Sequence, residues 1–194
     1  SFWDQDGGGS SDFTRGACFL LARDIFNDNV VYPDFVENEI ISSLKSNSKK
    51  SGSETTVIIQ NKERFGPLLH WMHALGLMNT SHIADPTLLV NNYITSDSDP
   101  KTYKLSEFIE NLGKKYPILD TGEYRKKVEG ELEGLSFNLF EQKKVSISLS
   151  SSLERLKLLG LIELENKSDA DKLTFTLKGL KNGPNYSHIT VKGE

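Results

Sequence analysis

The chain has 194 residues, of which 37% are hydrophobic, so it can hold one domain or two small ones. No apolar run approaches the roughly 20 residues of a transmembrane helix, which excludes a predicted membrane span. The formal net charge of −4 disfavours a protein that coats nucleic acid over its whole surface.

The two halves of the chain differ in charge. Residues 1–100 carry 7 basic and 13 acidic side chains, a net charge of −6, whereas residues 101–194 carry 16 and 14, a net charge of +2. Only the second half therefore has a balance that suits a position beside phosphates.

A flexible tether is predicted over residues 1–11, because its glycine run loses much conformational freedom on ordering. Asp12 is then a suitable N-cap for a helix over residues 13–26, whose apolar positions recur at helical spacing. Cys18 is the only cysteine, and its place in this apolar run predicts a buried, unreactive thiol. A lone cysteine excludes an internal disulfide and fits a reducing compartment, so we predict a cytoplasmic protein.

Two further helices are predicted over residues 33–44 and 66–75, each opened by a proline near its start. Gly76 ends the second of them, because a residue without Cβ takes the left-handed turn at low cost. A short wing over residues 80–84 and a helix over residues 85–94 follow. A helical domain of the winged-helix type is therefore predicted over residues 12–95.

A second winged-helix domain is predicted over residues 104–194, after a linker over residues 96–103. Its first helix carries an amphipathic row of apolar residues and stops before Pro117. Its second helix follows Asp120 or Thr121, either of which can cap it.

The most informative stretch begins just before the third helix of this domain. Leucines 149, 153, 156 and 159 share one helical face. Ser148 or Ser150 can cap the start, and Gly160 ends the helix. Residues 161–165 then alternate as a half-buried strand does, and residues 173–177 are rich in β-formers. A serine-started helix, a glycine and a β-hairpin are typical of the third helix and wing of a winged helix-turn-helix module.

The same ending occurs twice. Leu75-Gly76-Leu77 and Leu159-Gly160-Leu161 lie 84 residues apart, and each follows two earlier predicted helices. We interpret this as an internal repeat. The predicted fold class is mainly α with small β-wings (α+β), built as two tandem winged helix-turn-helix modules.

Catalytic and metal chemistry has little support. No phosphate-binding glycine pattern lies between a strand and a helix. His70 and His73 are three residues apart, with His82 and Asp85 close in sequence, but a tetrahedral zinc site takes three or four ligands. A partly buried helix surface explains the pair as well. We predict no enzyme activity, no catalytic residue, no metal and no cofactor.

The predicted DNA contacts are the polar residues of the third helix in the second module, with cations before it and on the wing. They are Lys143, Lys144, Ser148, Ser150, Ser151, Ser152, Arg155, Lys167 and Lys172. Such a helix enters the major groove while flanking cations contact phosphates. Winged helices also dock proteins, and carboxylates such as Glu163 and Asp171 repel a phosphate backbone, so a protein-binding module stays an alternative.

The order of the motifs resembles the DpdG-like family of bacterial Dpd clusters, which insert deazapurine bases into DNA and restrict unmodified invaders. The residues that carry the resemblance are the helix over 12–24, Trp71-Met72 with Leu75-Gly76, Asp85-Pro86-Thr87, the turn Pro117-Ile118-Leu119-Asp120-Thr121-Gly122-Glu123-Tyr124-Arg125 and the helix over 148–162. The resemblance implies the C-terminal portion of a longer protein and a non-catalytic subunit of an anti-phage restriction assembly. It carries over no catalytic residue.

The sequence therefore predicts a non-catalytic accessory subunit of a DNA-targeting defence system. Its predicted partners are duplex DNA and other subunits of a defence complex, with no membrane and no small-molecule substrate. Two alternatives stay open: a protein–protein scaffold without DNA affinity, and a winged-helix transcriptional regulator.

Overall fold

The computed structural model describes residues 9–22, 62–96, 100–131, 143–180 and 182–192. These residues form, in chain order, α1 (Gly9–Ala22), α2 (Lys62–Ala74), α3 (Thr87–Thr95), β1 (Lys101–Lys104), α4 (Leu105–Lys115), α5 (Glu123–Glu131), β2 (Lys144–Val145), α6 (Ile147–Leu158), β3 (Ile162–Glu165), β4 (Leu173–Phe175), β5 (Asn185–Tyr186) and β6 (His188–Val191). The predicted α+β class is confirmed. None of these helices is long and apolar enough to cross a bilayer. The helix predicted over 33–44 lies outside the described residues.

The N-terminal helix starts earlier than predicted. Residues 9–11 belong to α1, so that part of the predicted tether is wrong, and Asp12 lies inside the helix instead of capping it. The packing of the helix outweighs the weak propensity of its first residues. Helix α2 likewise starts at Lys62 and contains Pro67 in its second turn, where the proline was predicted to open it.

Helix α4 forms as its apolar spacing predicts. Leu105, Phe108, Ile109 and Leu112 are all buried, and the helix ends where the N–H of Tyr116 donates to Leu112. A row at this spacing occupies one helical face, so burying it fixes the side of α4 that meets the core.

The predicted linker over residues 96–103 ends in a strand. Lys101 to Tyr103 belong to β1, which runs antiparallel to β6, and the hydroxyls of Thr102 and Thr190 are 2.9 Å apart across the pair. Pairing with a strand almost 90 residues away is a long-range contact, which local polarity does not reveal.

The predicted wing hairpin is wrong in its pairing. Both predicted strands exist, as β3 and β4, but they belong to different three-stranded sheets, with orders β1-β6-β3 and β2-β4-β5. The antiparallel partner of β3 is β6, whereas β4 runs parallel to β2 and antiparallel to β5. The strand that returns along β3 is therefore residues 188–191 and not 173–177.

The core joins helices from both predicted modules. Helix α1 contacts α2, α5 and α6, and α3 contacts α6. Cys18 of α1 is fully buried, and burial raises the pKa of its thiol to about 12. The sulfur therefore stays protonated and non-nucleophilic near neutral pH. The division into domains over 12–95 and 104–194 stays a prediction.

A buried polar network fixes the start of α6. The helix is capped by Ser146, whose Oγ accepts from the N–H of Leu149 at 3.4 Å. The two serines predicted as caps, Ser148 and Ser150, lie inside the helix, so that prediction is wrong. The carboxylate of Asp120 accepts from the backbone N–H of Ser146 at 2.8 Å and from its Oγ at 2.6 Å. The turn before α5 is thereby tied to the N-terminus of α6.

Candidate partner-binding surface and lysine positions

Three of the serines predicted to face DNA are buried. Ser148 donates to the carbonyl of Leu21 in α1 at 2.6 Å, and the Oγ of Ser150 accepts from the N–H of Thr176 at 3.1 Å. Ser152 donates to the carbonyl of Ser148 at 2.8 Å. The prediction that these hydroxyls are exposed is wrong, because this part of α6 packs against other elements on several sides.

Arg155 lies at the surface, but its charge is engaged within the protein. Its guanidinium donates to the carboxylate of Asp85, which also accepts from the N–H of Thr87 at 3.1 Å and lies 3.4 Å from the Oγ of Ser152. Burial would raise the pKa of Asp85, but the hydrogen bonds from Thr87 and Arg155 hold it below its usual value. The ion pair therefore fixes α6 against the start of α3. Ser151 is half-buried beside it.

The predicted lysines are partly neutralised. Lys143 pairs with Asp171 at 2.9 Å, and Lys167 pairs with a glutamate of β3 at 3.3 Å. Lys144 is exposed and Lys172 half-buried on neighbouring strand segments, and neither makes a side-chain ion pair within the part of the chain that the structure describes. Among the four predicted lysines, these two therefore have no ion pair with a residue that the structure describes.

Two helix ends share one geometry, as the repeat predicts. In α2 and α6 the N–H of the glycine, Gly76 or Gly160, donates to the carbonyl three residues back, at 3.0 Å in both. The N–H of the following leucine, Leu77 or Leu161, donates to the carbonyl five residues back, at 2.8 and 3.1 Å. Both glycines have positive φ, +69° and +77°. This is a Schellman ending, which needs a residue without Cβ at the left-handed position.

Large apolar side chains are exposed around both endings. They are Trp71, Leu75, Leu88, Leu158 and Leu159, with exposed fractions between 49% and 86%. We call this set the apolar junction. Leu159 was predicted to complete the buried row of α6, and that is wrong: the Schellman ending folds the residue after the glycine, not the one before it, back toward the helix.

Helical spacing, one close approach and one ion pair relate the elements that carry the apolar junction. Trp71 and Leu75 are four residues apart and share a face of α2. A Cβ on Gly76 would lie 2.9 Å from Leu88, so that side chain lies against the end of α2. The ion pair between Arg155 and Asp85 joins α6 to the start of α3, and Leu158 and Leu159 follow that arginine within about one helical turn. Sequence reasoning missed this surface because it treated Trp71 and Leu75 only as the apolar content of a helix and placed Leu159 on one face with three other leucines.

The comparison with known proteins fits the motifs described above. A family described as DpdG-like matches residues 2–170, which includes the turn around Asp120 and the whole of α6. No curated protein and no solved structure matched. The family match covers well over half of the 194 residues. The chain belongs to the DpdG-like family.

Proposed function

We propose that this chain is a non-catalytic, cytoplasmic accessory subunit of a Dpd-type DNA-restriction defence system that binds a partner subunit through the apolar junction. The observation that carries the proposal is the exposure of five large apolar side chains in and just after α2, α3 and α6. Large apolar side chains left exposed on neighbouring helices are typical of protein–protein interfaces. Family membership supports the association with Dpd systems.

The topology supports a winged-helix variant in the second module. The elements β1, α4, α5, α6, β3 and β6 occur in this order, with the two-residue β2 before α6, and β6 lies between β1 and β3. Strands β4 and β5 are then an insertion between the two strands of the wing. In the first module the counterpart is a single bridge between Met78 and Ala84, which supports the same plan in shortened form.

Truncating the apolar junction tests the proposal. We expect Trp71→Ala together with Leu158→Ala to weaken binding to a purified Dpd-cluster partner at least about tenfold, because buried tryptophan often dominates interface energies. Isothermal titration calorimetry measures the affinity. The matched control is Leu180→Ala, because this leucine is also exposed but lies in a different turn. That turn follows Thr176, whose N–H donates to Ser150, and Ser150 is about 12 Å from Leu158 along α6. Equal affinities for the double variant and the wild type would contradict the proposal.

DNA binding is a second candidate function, supported by Lys144 and Lys172, which form no ion pair with any residue in the described ranges. We expect weak binding to duplex DNA through phosphates, because the bases are out of reach of the buried serines of α6. In a gel-shift titration across salt, Lys144→Ala with Lys172→Ala should reduce the salt slope by about 2. Lys192→Ala is the control, since Lys192 is already paired with Glu163 at 2.7 Å. A salt slope that is the same in the double variant and the control excludes these lysines as the phosphate contacts.

A further inference from the structure

Two histidines from different segments meet at the surface beside α2. The Nε2 atom of His73, in the last turn of α2, is 2.9 Å from the Nδ1 atom of His82, in the turn after that helix. Their ring centroids are 5.0 Å apart and the rings are inclined by 73°. His70 takes no part in this contact: its ring lies edge-on to Trp71.

The turn that carries His82 is held in place by its neighbours. The side-chain oxygen of Asn79 accepts from the N–H of Ser81 at 2.9 Å and from the N–H of Ile83 at 3.1 Å. The backbone carbonyl of Asn79 accepts from the N–H of His82 at 3.0 Å. His82 has a φ of +59°, a conformation that costs a residue with a Cβ of order 1 kcal/mol. A strained position fixed by three hydrogen bonds aims this imidazole at His73.

We propose that His73 and His82 together bind a divalent transition-metal ion, with Nε2 of the first and Nδ1 of the second as ligands. Metal–imidazole bonds are about 2.0–2.1 Å long, so two such nitrogens at one ion lie roughly 3 Å apart. The observed separation of 2.9 Å meets this requirement without a change in the backbone. In the hydrogen-bonded pair one of the two nitrogens carries a proton. On metal binding that imidazole takes its other tautomer by proton exchange with water, so that both nitrogens direct lone pairs at an ion lying beside the line that joins them.

The class of metal follows from the ligands. Imidazole nitrogen suits copper, nickel and zinc, and not magnesium or calcium, which prefer oxygen. No group of three or more histidine, cysteine or acidic residues gathers anywhere in the described stretches, so the described residues supply two protein ligands, His73 and His82. The site departs from the sequence-based expectation of no metal, because that reasoning paired His73 with His70 along the helix, whereas the fold pairs it with the turn.

Metal titration of the full chain tests the site, with Cu²⁺, Ni²⁺ and Mg²⁺ followed by isothermal titration calorimetry. We expect one Cu²⁺ or Ni²⁺ per chain, with Cu²⁺ tighter than Ni²⁺, and no binding of Mg²⁺. His73→Gln and His82→Asn should each weaken binding at least about tenfold, since the second ligand no longer acts at high effective concentration. Asparagine tolerates the left-handed backbone at position 82, so this variant keeps the turn.

His70→Gln is the matched control, because it removes an exposed histidine from the same helix. Its metal affinity should equal that of the wild type. In proton NMR spectra, substoichiometric Cu²⁺ should broaden the ring signals of His73 and His82 before those of His70. The absence of binding, or an equal loss in all three variants, overturns the proposal. The site does not rest on the proposed partner binding, since the titration contains no partner.

Discussion

Replacing Asp120 with alanine is expected to destabilise the protein by about 3–5 kcal/mol. The carboxylate is buried and accepts two hydrogen bonds from Ser146, at 2.8 and 2.6 Å. Both donors become unsatisfied in the variant, and hydrogen bonds to a charged acceptor contribute about 1.5–3 kcal/mol each. The carboxylate also stands at the N-terminus of α6, where the helix dipole favours negative charge.

The same carboxylate helps to neutralise Arg125, which is 1% exposed. Its Nη2 atom is 3.9 Å from Asp120, and its Nε atom donates to Glu129 at 2.6 Å. Burial alone would lower the pKa of Arg125, but the two carboxylates outweigh it and raise the pKa. Glu129 still balances the charge after the substitution, so the predicted loss comes mainly from the hydrogen bonds of Ser146.

Urea denaturation followed by circular dichroism measures the loss. Asp120→Asn keeps one acceptor oxygen, so its effect should be intermediate. The control is Glu123→Ala in the same turn region: this side chain is exposed and pairs with Lys127 at 3.3 Å, and such surface pairs contribute about 0–1 kcal/mol. An Asp120→Ala protein as stable as the control would show that the network does not hold α6 in place.

Local signals in the sequence predict the buried face of α4 and the end of α6 well. The row of α4 and the glycine after α6 each involve residues within about one or two turns, so the pattern contains the whole interaction. Both predictions are confirmed, with the row buried and Gly160 at a φ of +77°.

The choice of strand partner is not a local property. Residues 173–175 and 188–191 are both rich in β-formers, and either can return along β3. The shorter loop favours the first, but β4 pairs with β2 and β5, which leaves β3 to β6. The alternation of apolar and polar residues along a strand predicts which face is buried, but it does not predict which strand pairs with it.

The serines of α6 show a second limit of sequence reasoning. A serine side chain is expected to be exposed only where no buried hydrogen-bond acceptor lies within its reach. Ser148 donates to the carbonyl of Leu21, which lies 127 residues earlier in the chain. The candidate surface was missed for the converse reason, since Leu158 is apolar and 86% exposed. One signal for the buried network was available in the sequence, namely Asp120 in the turn before α5. Such an aspartate can accept hydrogen bonds from the backbone of its own helix or from that of another helix.

Replacing Gly122 with alanine is expected to destabilise the protein by about 3 kcal/mol, through a steric clash and not through backbone conformation. A Cβ at this position would lie 2.3 Å from the carbonyl oxygen of Pro117. That oxygen accepts from the N–H of Arg125 at 3.0 Å, and the N–H of Gly122 itself donates to Leu119 at 2.9 Å. The turn cannot widen for the methyl group without breaking these bonds and displacing the neighbouring Asp120.

The control adds the same methyl group where there is room. A Cβ on Gly66 in α2 meets nothing within 4 Å beyond its own helix and chain neighbours. The gain in helix propensity there, about 1 kcal/mol, is offset by the cost of a Cβ before Pro67, so Gly66→Ala should change the stability by less than about 1 kcal/mol. Urea midpoints compare the two variants. Alanine also restricts the unfolded chain, which by itself stabilises the folded protein by about 0.4–1 kcal/mol. A large loss of stability in Gly122→Ala can therefore come only from the close approach of the added Cβ to Pro117. Equal midpoints for the two variants would mean that the turn is looser than described, and the expected effect of Asp120→Ala would fall with it.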